Sequence, residues 1–317
     1  MRVRFWGTRG SIPVGLTTAD IRDKLARALV AASGRRFASF AEAHAFAAEL
    51  PFAVSQTFGG HTSCVELDIG SDEYFVCDMG SGARAFGAHV LARNGGRPAT
   101  VNIFMSHMHW DHIMGFPFFG PAYAPGNRIR LYGCHEELEH ALRLQQSAPC
   151  FPVPFDQLAA SIEFVPLVPG RRQEVSGLAV IPQLQRHSGD SYAFRFEMGG
   201  RSVVYSTDSE HKLDDPGETA RFVALFRDAD LVIFDAMYSL AEAVSVKEDW
   251  GHSSNVVGVE LCQQAGAKHL VLFHHEPANN DSAIETALHD AVRLEELTRG
   301  SQRLHVSAAY DGMEIEL

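Results

Sequence analysis

Residues 105–112 read MSHMHWDH and directly follow a β-rich run at 101–105. The first two histidines of this motif are two positions apart, so their side chains can point the same way in an extended segment. Imidazole and carboxylate groups this close together suit zinc, manganese or iron, and two ligand sets in one loop indicate two metal ions. The motif therefore predicts a metal centre at the C-terminal end of one strand, with four candidate ligands: His107, His109, Asp111 and His112.

One loop cannot complete two metal sites, so other strand ends are expected to contribute ligands. Three further residues stand just past apolar runs, as the first cluster does: His187 after 178–184, Asp208 after 202–206 and His274 after 270–273. Taken singly, each of them could cap a helix or face solvent. Together with the first cluster they form a coherent set of ligands.

Strand-like and helical runs alternate along most of the chain. Some strands alternate in polarity and others are continuously apolar, which is typical of sheets that pack on each other on one face and on helices on the other. The absence of repeats and linkers favours a single domain over 1–317. We predict strands at 62–69, 74–77, 101–105, 129–132, 162–166, 178–184, 192–197, 202–206, 231–234 and 270–273, and helices at 83–93, 135–146, 218–226, 255–265 and 282–298.

Residues 17–50 differ from the rest because they are rich in alanine and carry two helical patterns. Ser39 and Glu42 have the spacing of a capping box at the start of the second helix, and Pro51 closes that helix. We expect a helical insertion that follows the first strand. It is either a hairpin packed at the sheet edge or a cap over the active site, and the sequence favours neither.

Composition limits the classes of function. The chain has 317 residues, a net charge of −12, 46% hydrophobic residues and five scattered cysteines. This composition is typical of a globular protein, and the acidic balance argues against a large nucleic acid as partner. No apolar run approaches the roughly 20 residues that span a bilayer, so no membrane partner is expected. An odd number of cysteines without a C-x-x-C pair favours a reducing, cytoplasmic location.

Several motifs together resemble the metallo-β-lactamase superfamily, and in particular the branch that contains ribonuclease Z and the cyclic-phosphate phosphodiesterases. The likeness rests on FWGTRGSIP at 5–13, GGHTSC at 59–64, DMGSG at 78–82 and the histidine-rich motif, and it covers nearly the whole chain apart from the insertion. His61 is a departure, because the subgroup usually has asparagine there. The resemblance implies an α/β fold (α+β in some schemes), built as a four-layer αββα sandwich.

The resemblance also implies two divalent metal ions, with zinc as the first expectation and manganese as the second. Asp78 would orient a ligand histidine or simply turn the chain at a strand end, and the sequence leaves both interpretations open. By the family pattern, one ion is held by His107, His109 and His187 and the other by Asp111, His112 and His274, with Asp208 bridging the two.

Residues 250–254, WGHSS, resemble the H-x-T loop of ribonuclease Z-like phosphodiesterases, in which the histidine helps to protonate the leaving oxygen. Ser254 stands at the threonine position. We therefore predict Asp111 and His252 as catalytic residues of a metal-dependent hydrolase. Its substrate would be a small or cyclic phosphate ester, attacked by a hydroxide that bridges the two ions. His252 would give a proton to the leaving alkoxide.

Other functions stay open from the sequence. The same ligand set would serve a thioesterase or lactonase of this fold, and a different class would be an iron oxygenase or a metal-binding sensor. A true β-lactamase is disfavoured, because Asp208 stands where many of those enzymes place cysteine. Family resemblance also allows a homodimer. Three phenylalanines after the metal motif either wall the pocket or belong to the core: Phe116, Phe118 and Phe119.

Overall fold

The computed structural model describes residues 1–212, 215–243 and 249–317, and two seven-stranded sheets dominate these residues. The first sheet has the strand order β14-β1-β2-β3-β4-β5-β6 and the second has the order β13-β12-β11-β10-β9-β8-β7. In chain order the strands are β1 (Arg2–Gly7), β2 (Cys64–Asp68), β3 (Tyr74–Cys77), β4 (Thr100–Phe104), β5 (Arg128–Gly133), β6 (Ser161–Pro166), β7 (Gln173–Val175), β8 (Leu178–Gln185), β9 (Ser191–Met198), β10 (Arg201–Ser206), β11 (Leu231–Asp235), β12 (His269–Phe273), β13 (His305–Ala308) and β14 (Glu314–Glu316).

Helices cover the outer faces of both sheets and form the connections between parallel strands. None of the helices in the described ranges is long and apolar enough to cross a membrane. In chain order they are α1 (Thr18–Ala31), α2 (Phe40–Ala48), α3 (Phe52–Ser55), α4 (Ala83–Asn94), α5 (Trp110–Ile113), α6 (Leu138–Gln145), α7 (Pro216–Phe226), α8 (Leu240–Ala243), α9 (Asn255–Ala265) and α10 (Asp281–Thr298).

Apolar side chains fill three layers of core, which makes the molecule a four-layer sandwich. The central layer lies between the sheets and takes Phe5 and Phe75 from one sheet and Phe194 and Phe273 from the other. A second cluster joins the outer face of the first sheet to α4 and α6. A third joins the outer face of the second sheet to α7, α9 and α10. The predicted αββα architecture is confirmed.

The predicted strands and long helices are present, with ends shifted by up to three residues. The structure contains three strands that the sequence analysis did not predict: β7, β13 and β14. Each has only three or four residues and lies at or beside a sheet edge, and β14 reads EIE. Such strands form because a neighbouring strand offers its hydrogen-bonding edge, so their own sequence carries little signal.

The predicted helical insertion is present as α1 and α2 after the first strand, and each helix has an N-terminal cap. Thr17 and Asp20 form a complete capping box at the start of α1, which the sequence analysis missed. At the start of α2, the Ser39 hydroxyl accepts from the Glu42 backbone N–H, as predicted. The Glu42 carboxylate, however, accepts from the backbone of Ala38, so only half of the predicted box is formed.

Helix α1 turns a polar stripe toward the protein and leaves its apolar stripe exposed. Ile21, Leu25 and Leu29, spaced four residues apart, are all exposed, and no residue of α1 is buried. The helix is held by Lys24, whose ammonium lies 2.6 Å from the carbonyl oxygen of Ala53 and 2.6 Å from the carboxylate of Asp281. The insertion therefore attaches to α3 and the start of α10 through polar contacts.

Strand direction brings the candidate residues of both sheets to one edge of the sandwich. Strands β3 to β6 are parallel, and so are β10 to β13. The residues of interest follow the C-terminal ends of these strands and of β8, where ligands of open α/β sheets usually bind. They are Asp78 after β3, the histidine-rich motif after β4, His187 after β8, Asp208 after β10, Asp235 at the end of β11 and His274 after β12.

Candidate metal centre

The seven predicted ligands lie together in two adjacent groups. Within each group, one potential ligand atom per residue lies within 4.8 Å of those of the others. Metal binding by these residues stays a prediction, but the grouping is the one that the family pattern implies. The first group is His107, His109 and His187, and the second is Asp111, His112, Asp208 and His274.

Asp208 faces both groups with different oxygens. Its Oδ1 lies 3.1 Å from Nε2 of His112 and 3.3 Å from Nε2 of His274. Its Oδ2 lies 3.6 Å from Nε2 of His107 and 3.8 Å from Nε2 of His187. The backbone of Asp208 is in the left-handed region, with φ of 49°, a conformation that surrounding structure must hold in place. One carboxylate thus addresses both groups, as a bridging ligand must.

Hydrogen bonds fix which nitrogen of two ligand histidines carries the proton. Nδ1 of His112 lies 2.8 Å from a carboxylate oxygen of Asp78, and Nδ1 of His187 lies 2.8 Å from the carbonyl oxygen of Gly251. These oxygens can only accept, so each Nδ1 donates. Each Nε2 is therefore the ring nitrogen that faces the cluster, as in metal-ligating histidines held by an outer acceptor.

His107 provides the test of whether these residues fit a metal ion. The Ser106 hydroxyl lies 2.7 Å from the Asp78 carboxylate and 3.0 Å from Nδ1 of His107. The hydroxyl has one hydrogen, which it donates to Asp78, so it accepts from Nδ1. Nε2 of His107 is buried without a hydrogen-bond partner. A buried lone pair without a donor is costly, and a divalent cation among imidazoles and carboxylates satisfies it, so the residues fit the group.

The charges of the cluster also suit a cation. Burial lowers the pKa of His107, His109 and His187, so these imidazoles are neutral and able to bind metal. Burial opposes ionisation of Asp208, but His112 and His274 outweigh it and hold the pKa of its carboxyl well below the usual range. Burial also opposes protonation of His112, but the charges of Asp208, Asp111 and Asp78 outweigh it and raise the pKa of its imidazole well above the usual range, so a cation bound there would take the place of a proton.

Asp78 lies outside the ligand set and supports it. Besides His112 and the Ser106 hydroxyl, its carboxylate accepts from the Ser106 backbone N–H at 2.8 Å and from the Tyr205 hydroxyl at 2.7 Å. Tyr205 belongs to the second sheet, so this carboxylate joins both sheets beneath the cluster. Of the two interpretations left open by the sequence, the geometry supports Asp78 as the residue that orients His112.

His252 lies beside both groups and is held by Asp235. Nδ1 of His252 is 2.8 Å from Oδ2 of Asp235, and the His252 ring stacks on that of His274 with centroids 5.2 Å apart. Burial lowers the pKa of His252, but the charge and hydrogen bond of Asp235 outweigh it and raise the pKa to about 9. From the sequence, the place of Asp235 at the end of an apolar strand leaves open whether it contacts the site or caps a helix, and its hydrogen bond to His252 supports the first interpretation.

The loop after β1 closes the centre from another side. The Ser11 backbone N–H donates to Oδ2 of Asp111 at 2.7 Å, which orients a predicted ligand. Gly10 lies directly against the His274 imidazole, because a Cβ added at Gly10 would come within 2.6 Å of its Nδ1 and Cε1 atoms. The sequence analysis used this segment as part of the family motif but gave it no role. Its close packing against the centre explains the glycine at position 10.

Replacing Gly10 by alanine is expected to reduce metal binding. The new methyl group forces the buried imidazole of His274 out of position, so after incubation with zinc and gel filtration the variant should retain less zinc than wild type, as measured by plasma mass spectrometry. Gly15→Ala is the matched control, because a Cβ at Gly15 meets nothing within 4 Å. Equal zinc content in both variants would contradict the expected crowding.

The three phenylalanines that follow the histidine-rich motif differ in their burial. Phe116 and Phe119 are fully buried and belong to the core on the outer face of the first sheet. Phe118 is 59% exposed. The apolar-wall interpretation is therefore wrong for Phe116 and Phe119.

His61, the departure from the family pattern, is exposed, and its Nδ1 lies 3.2 Å from the Ser81 hydroxyl.

A four-layer sandwich with histidines and aspartates gathered at its strand ends defines the protein as one of metallo-β-lactamase fold. Residues 75–275 match the family model described as beta-lactamase superfamily domain, and the chain belongs to that family. Family membership and the ligand cluster together support a metal-dependent hydrolase.

Individual relatives agree with this placement. Ribonuclease Z of Acaryochloris marina is 25% identical over 296 residues, which cover 77% of this chain and 88% of that protein. Uncharacterized protein ML1173 of Mycobacterium leprae is 26% identical over 200 residues, 61% of this chain and 66% of that protein, so the chain spans just under two thirds of its length. The metallo-beta-lactamase fold protein YhfI from Bacillus subtilis has a TM-score of 0.64 at 16% identity, covering 100% of this chain and 99% of its own, which supports the fold alone. The predicted resemblance to the ribonuclease Z branch is confirmed.

Proposed function

We propose that the protein is a metal-dependent phosphodiesterase that hydrolyses a small or cyclic phosphate ester. The observation that carries this proposal is the Asp235–His252 pair, placed beside both groups of candidate ligands. Cleavage of a phosphodiester with an alkoxide leaving group needs a proton at that oxygen. A thioester leaves as a thiolate and does not need such a proton, so a histidine held here by a carboxylate favours an alkoxide leaving group. The resemblance of residues 250–254 to the H-x-T loop of phosphodiesterases favours phosphoryl chemistry over lactone hydrolysis.

Seven side chains would hold two divalent ions, zinc or manganese. Asp208 would contribute an oxygen to each ion, because its two oxygens face different groups. Bound there, the ions would lower the pKa of a water molecule and draw negative charge from the phosphoryl oxygens. The proposed ligands are His107, His109 and His187 on one side, Asp111, His112 and His274 on the other, and Asp208 between them.

The chain's own residues would then position substrate and move the proton. Asp111 would be oriented by the Ser11 backbone N–H and would keep the second ion next to the reacting phosphorus. His252 would donate from its Nε2 atom, because Nδ1 is engaged by Asp235. The negative charge of Asp235 would stabilise the protonated imidazole before transfer and hold its ring in one orientation.

A substrate panel tests the proposal. We expect turnover of bis(p-nitrophenyl) phosphate, and of at least one member of a set of cyclic nucleotides, cyclic ribose phosphates and linear diesters, when zinc or manganese is added. Turnover of a thioester or lactone beside background rates on every phosphodiester would overturn it. One equivalent of iron with oxygen consumption would instead identify an oxygenase.

Replacing His252 by alanine should slow the reaction according to the leaving group. With an alkoxide leaving group we expect a loss on the order of 10²- to 10⁴-fold in kcat, because the proton donor is gone. With p-nitrophenolate, which leaves without a proton, the loss should be less than about tenfold. His269→Ala is the control. His269 lies at the start of β12, and its Nε2 is hydrogen-bonded to the Ser307 hydroxyl. Equal losses on both substrates would remove His252 from proton transfer.

A further inference from the structure

A cavity of about 590 Å³ lies between the helical insertion and the start of α10. Its walls come from Arg9, from α1, from the segments 14–17 and 59–60, and from residues 277–282. Among the described residues that line it, none is a proposed metal ligand, so the cavity is separate from the candidate centre. Small-molecule sites in proteins usually have volumes of about 300–1,000 Å³, and this cavity therefore has room for a ligand.

Most charged side chains around the cavity are already engaged within the protein. The carboxylate of Asp23 lies 2.7 Å from the guanidinium of Arg27, one turn further along α1. Lys24 lies 2.6 Å from the carboxylate of Asp281 and also donates to two carbonyl oxygens. Asp20 caps the start of its own helix. The three carboxylates of the lining are thus each paired or hydrogen-bonded.

Arg9 is the sixth charged residue of the lining, and part of its guanidinium has no partner. The residue is only 3% exposed. Its Nε donates to the carbonyl oxygen of Gly59 at 3.0 Å, and its Nη1 donates to those of Glu276 and Asn279 at 3.1 and 2.8 Å. These bonds use three of the five N–H groups, and Nη2 carries the other two. Nη2 has no hydrogen-bond partner among the described residues and is not sealed inside the protein, so it is open to the cavity.

The start of α10 offers further donors to the same cavity. The Asn280 side chain caps this helix by accepting from the Ala283 N–H. The backbone N–H groups of Asp281 and Ser282 have no partner within the described ranges, and both residues line the cavity. The first turn of a helix carries partial positive charge, and its free N–H groups readily bind anions.

We propose that the cavity binds a small molecule carrying an oxyanion, either a phosphate or a carboxylate, held by Nη2 of Arg9 and by the first turn of α10. Both kinds of oxyanion accept charge-assisted hydrogen bonds from guanidinium and backbone N–H groups. Burial lowers the pKa of Arg9, and the charges of Asp281 and Asp311 offset this only in part, so a bound anion would supply the missing negative charge. The cavity is larger than a bare ion, and the rest of the ligand would lie against α1.

Calorimetric titration tests the cavity. Zinc-loaded protein, freed of excess zinc, is titrated with inorganic phosphate and separately with succinate. Ser282→Asp adds a negative charge in the first turn of α10, where an acidic residue stabilises the helix but repels a bound anion. We expect this variant to weaken binding by at least about tenfold. His289→Asp adds the same charge two turns further along α10, outside the lining, and should match wild type.

Arg9→Lys tests the guanidinium. Lysine keeps the positive charge, but its three N–H groups are needed for the three carbonyl oxygens, so none is left for the anion. We expect affinity for the anion to fall by about tenfold. Unchanged affinity in Arg9→Lys would overturn the role of Nη2.

Phosphate bound at the candidate metal centre is distinguished by its response to substitution. Binding there should be weakened by Asp208→Asn and should not respond to Ser282→Asp. A site for either anion that responds to Ser282→Asp supports the proposal, whether or not the protein hydrolyses phosphodiesters. Absence of such a site with both anions, or an equal loss of affinity in Ser282→Asp and His289→Asp, would refute it.

Discussion

Replacing Asp208 by asparagine is expected to lower turnover of bis(p-nitrophenyl) phosphate by a factor on the order of 10³ or more, about 4 kcal/mol in activation free energy. The two carboxylate oxygens face different histidine groups, so one substitution weakens both ion positions. An amide presents only one strong acceptor and carries no negative charge. Zinc content should fall below two ions per chain in the same preparation.

The backbone conformation at position 208 does not complicate the interpretation of this variant. Asp208 has φ of 49°, and asparagine adopts the left-handed region about as readily as aspartate does. Asp190→Asn is the matched control, because Asp190 has φ of 60° and lies in the loop after β8 outside both ligand groups. Its zinc content and turnover should equal those of wild type. An Asp208→Asn protein with two zinc ions and full turnover would refute the bridging role.

Replacing Asp78 by asparagine is expected to lower the free energy of unfolding by about 3–5 kcal/mol, because a fully buried carboxylate loses its charge among four donors. Three of those donors, from Ser106, His112 and Tyr205, converge on one oxygen, and an amide nitrogen there would face donor groups. Zinc affinity should fall by about 10- to 100-fold, because His112 is no longer oriented. Urea denaturation and competition with a zinc chelator measure the two effects.

Asp230→Asn distinguishes loss of stability from loss of the centre. Asp230 is also buried and accepts from the Ser202 backbone N–H at 2.9 Å and from Lys268 at 2.8 Å. It lies just before β11, at the end of the sheet remote from the candidate ligands. This variant should lose stability and keep its zinc affinity. If both variants lose zinc affinity equally, Asp78 acts through stability alone.

The candidate ligands could be picked out from the sequence because the signal for each is local. His187, Asp208 and His274 each stand one or two residues beyond the end of an apolar strand, so strand ends marked them as candidates and the family resemblance supplied their grouping. Asp235 also ends an apolar strand, but its role depends on contact with His252, which lies 17 residues further along the chain. Such a contact is set by loop geometry that no local pattern encodes.

The insertion shows a different limit of the sequence. The four-residue spacing of Ile21, Leu25 and Leu29 marks a helix, and a periodic pattern of this kind usually marks the face that is buried. In the fold the neighbouring stripe with Lys24 faces the protein instead, because the available partners on α3 and α10 are carbonyl oxygens and a carboxylate. The orientation of a helix thus depends on what the rest of the chain presents to it.

The loose attachment of α1 has a consequence for the descent of the protein. Since no side chain of α1 is buried, substitutions there leave the packing between the sheets untouched. Selection for stability consequently acts weakly on this segment, while the strand ends that carry the candidate ligands are constrained by the sheets. We therefore expect related chains to differ in the length and sequence of this segment more than in the strand ends that carry the candidate ligands.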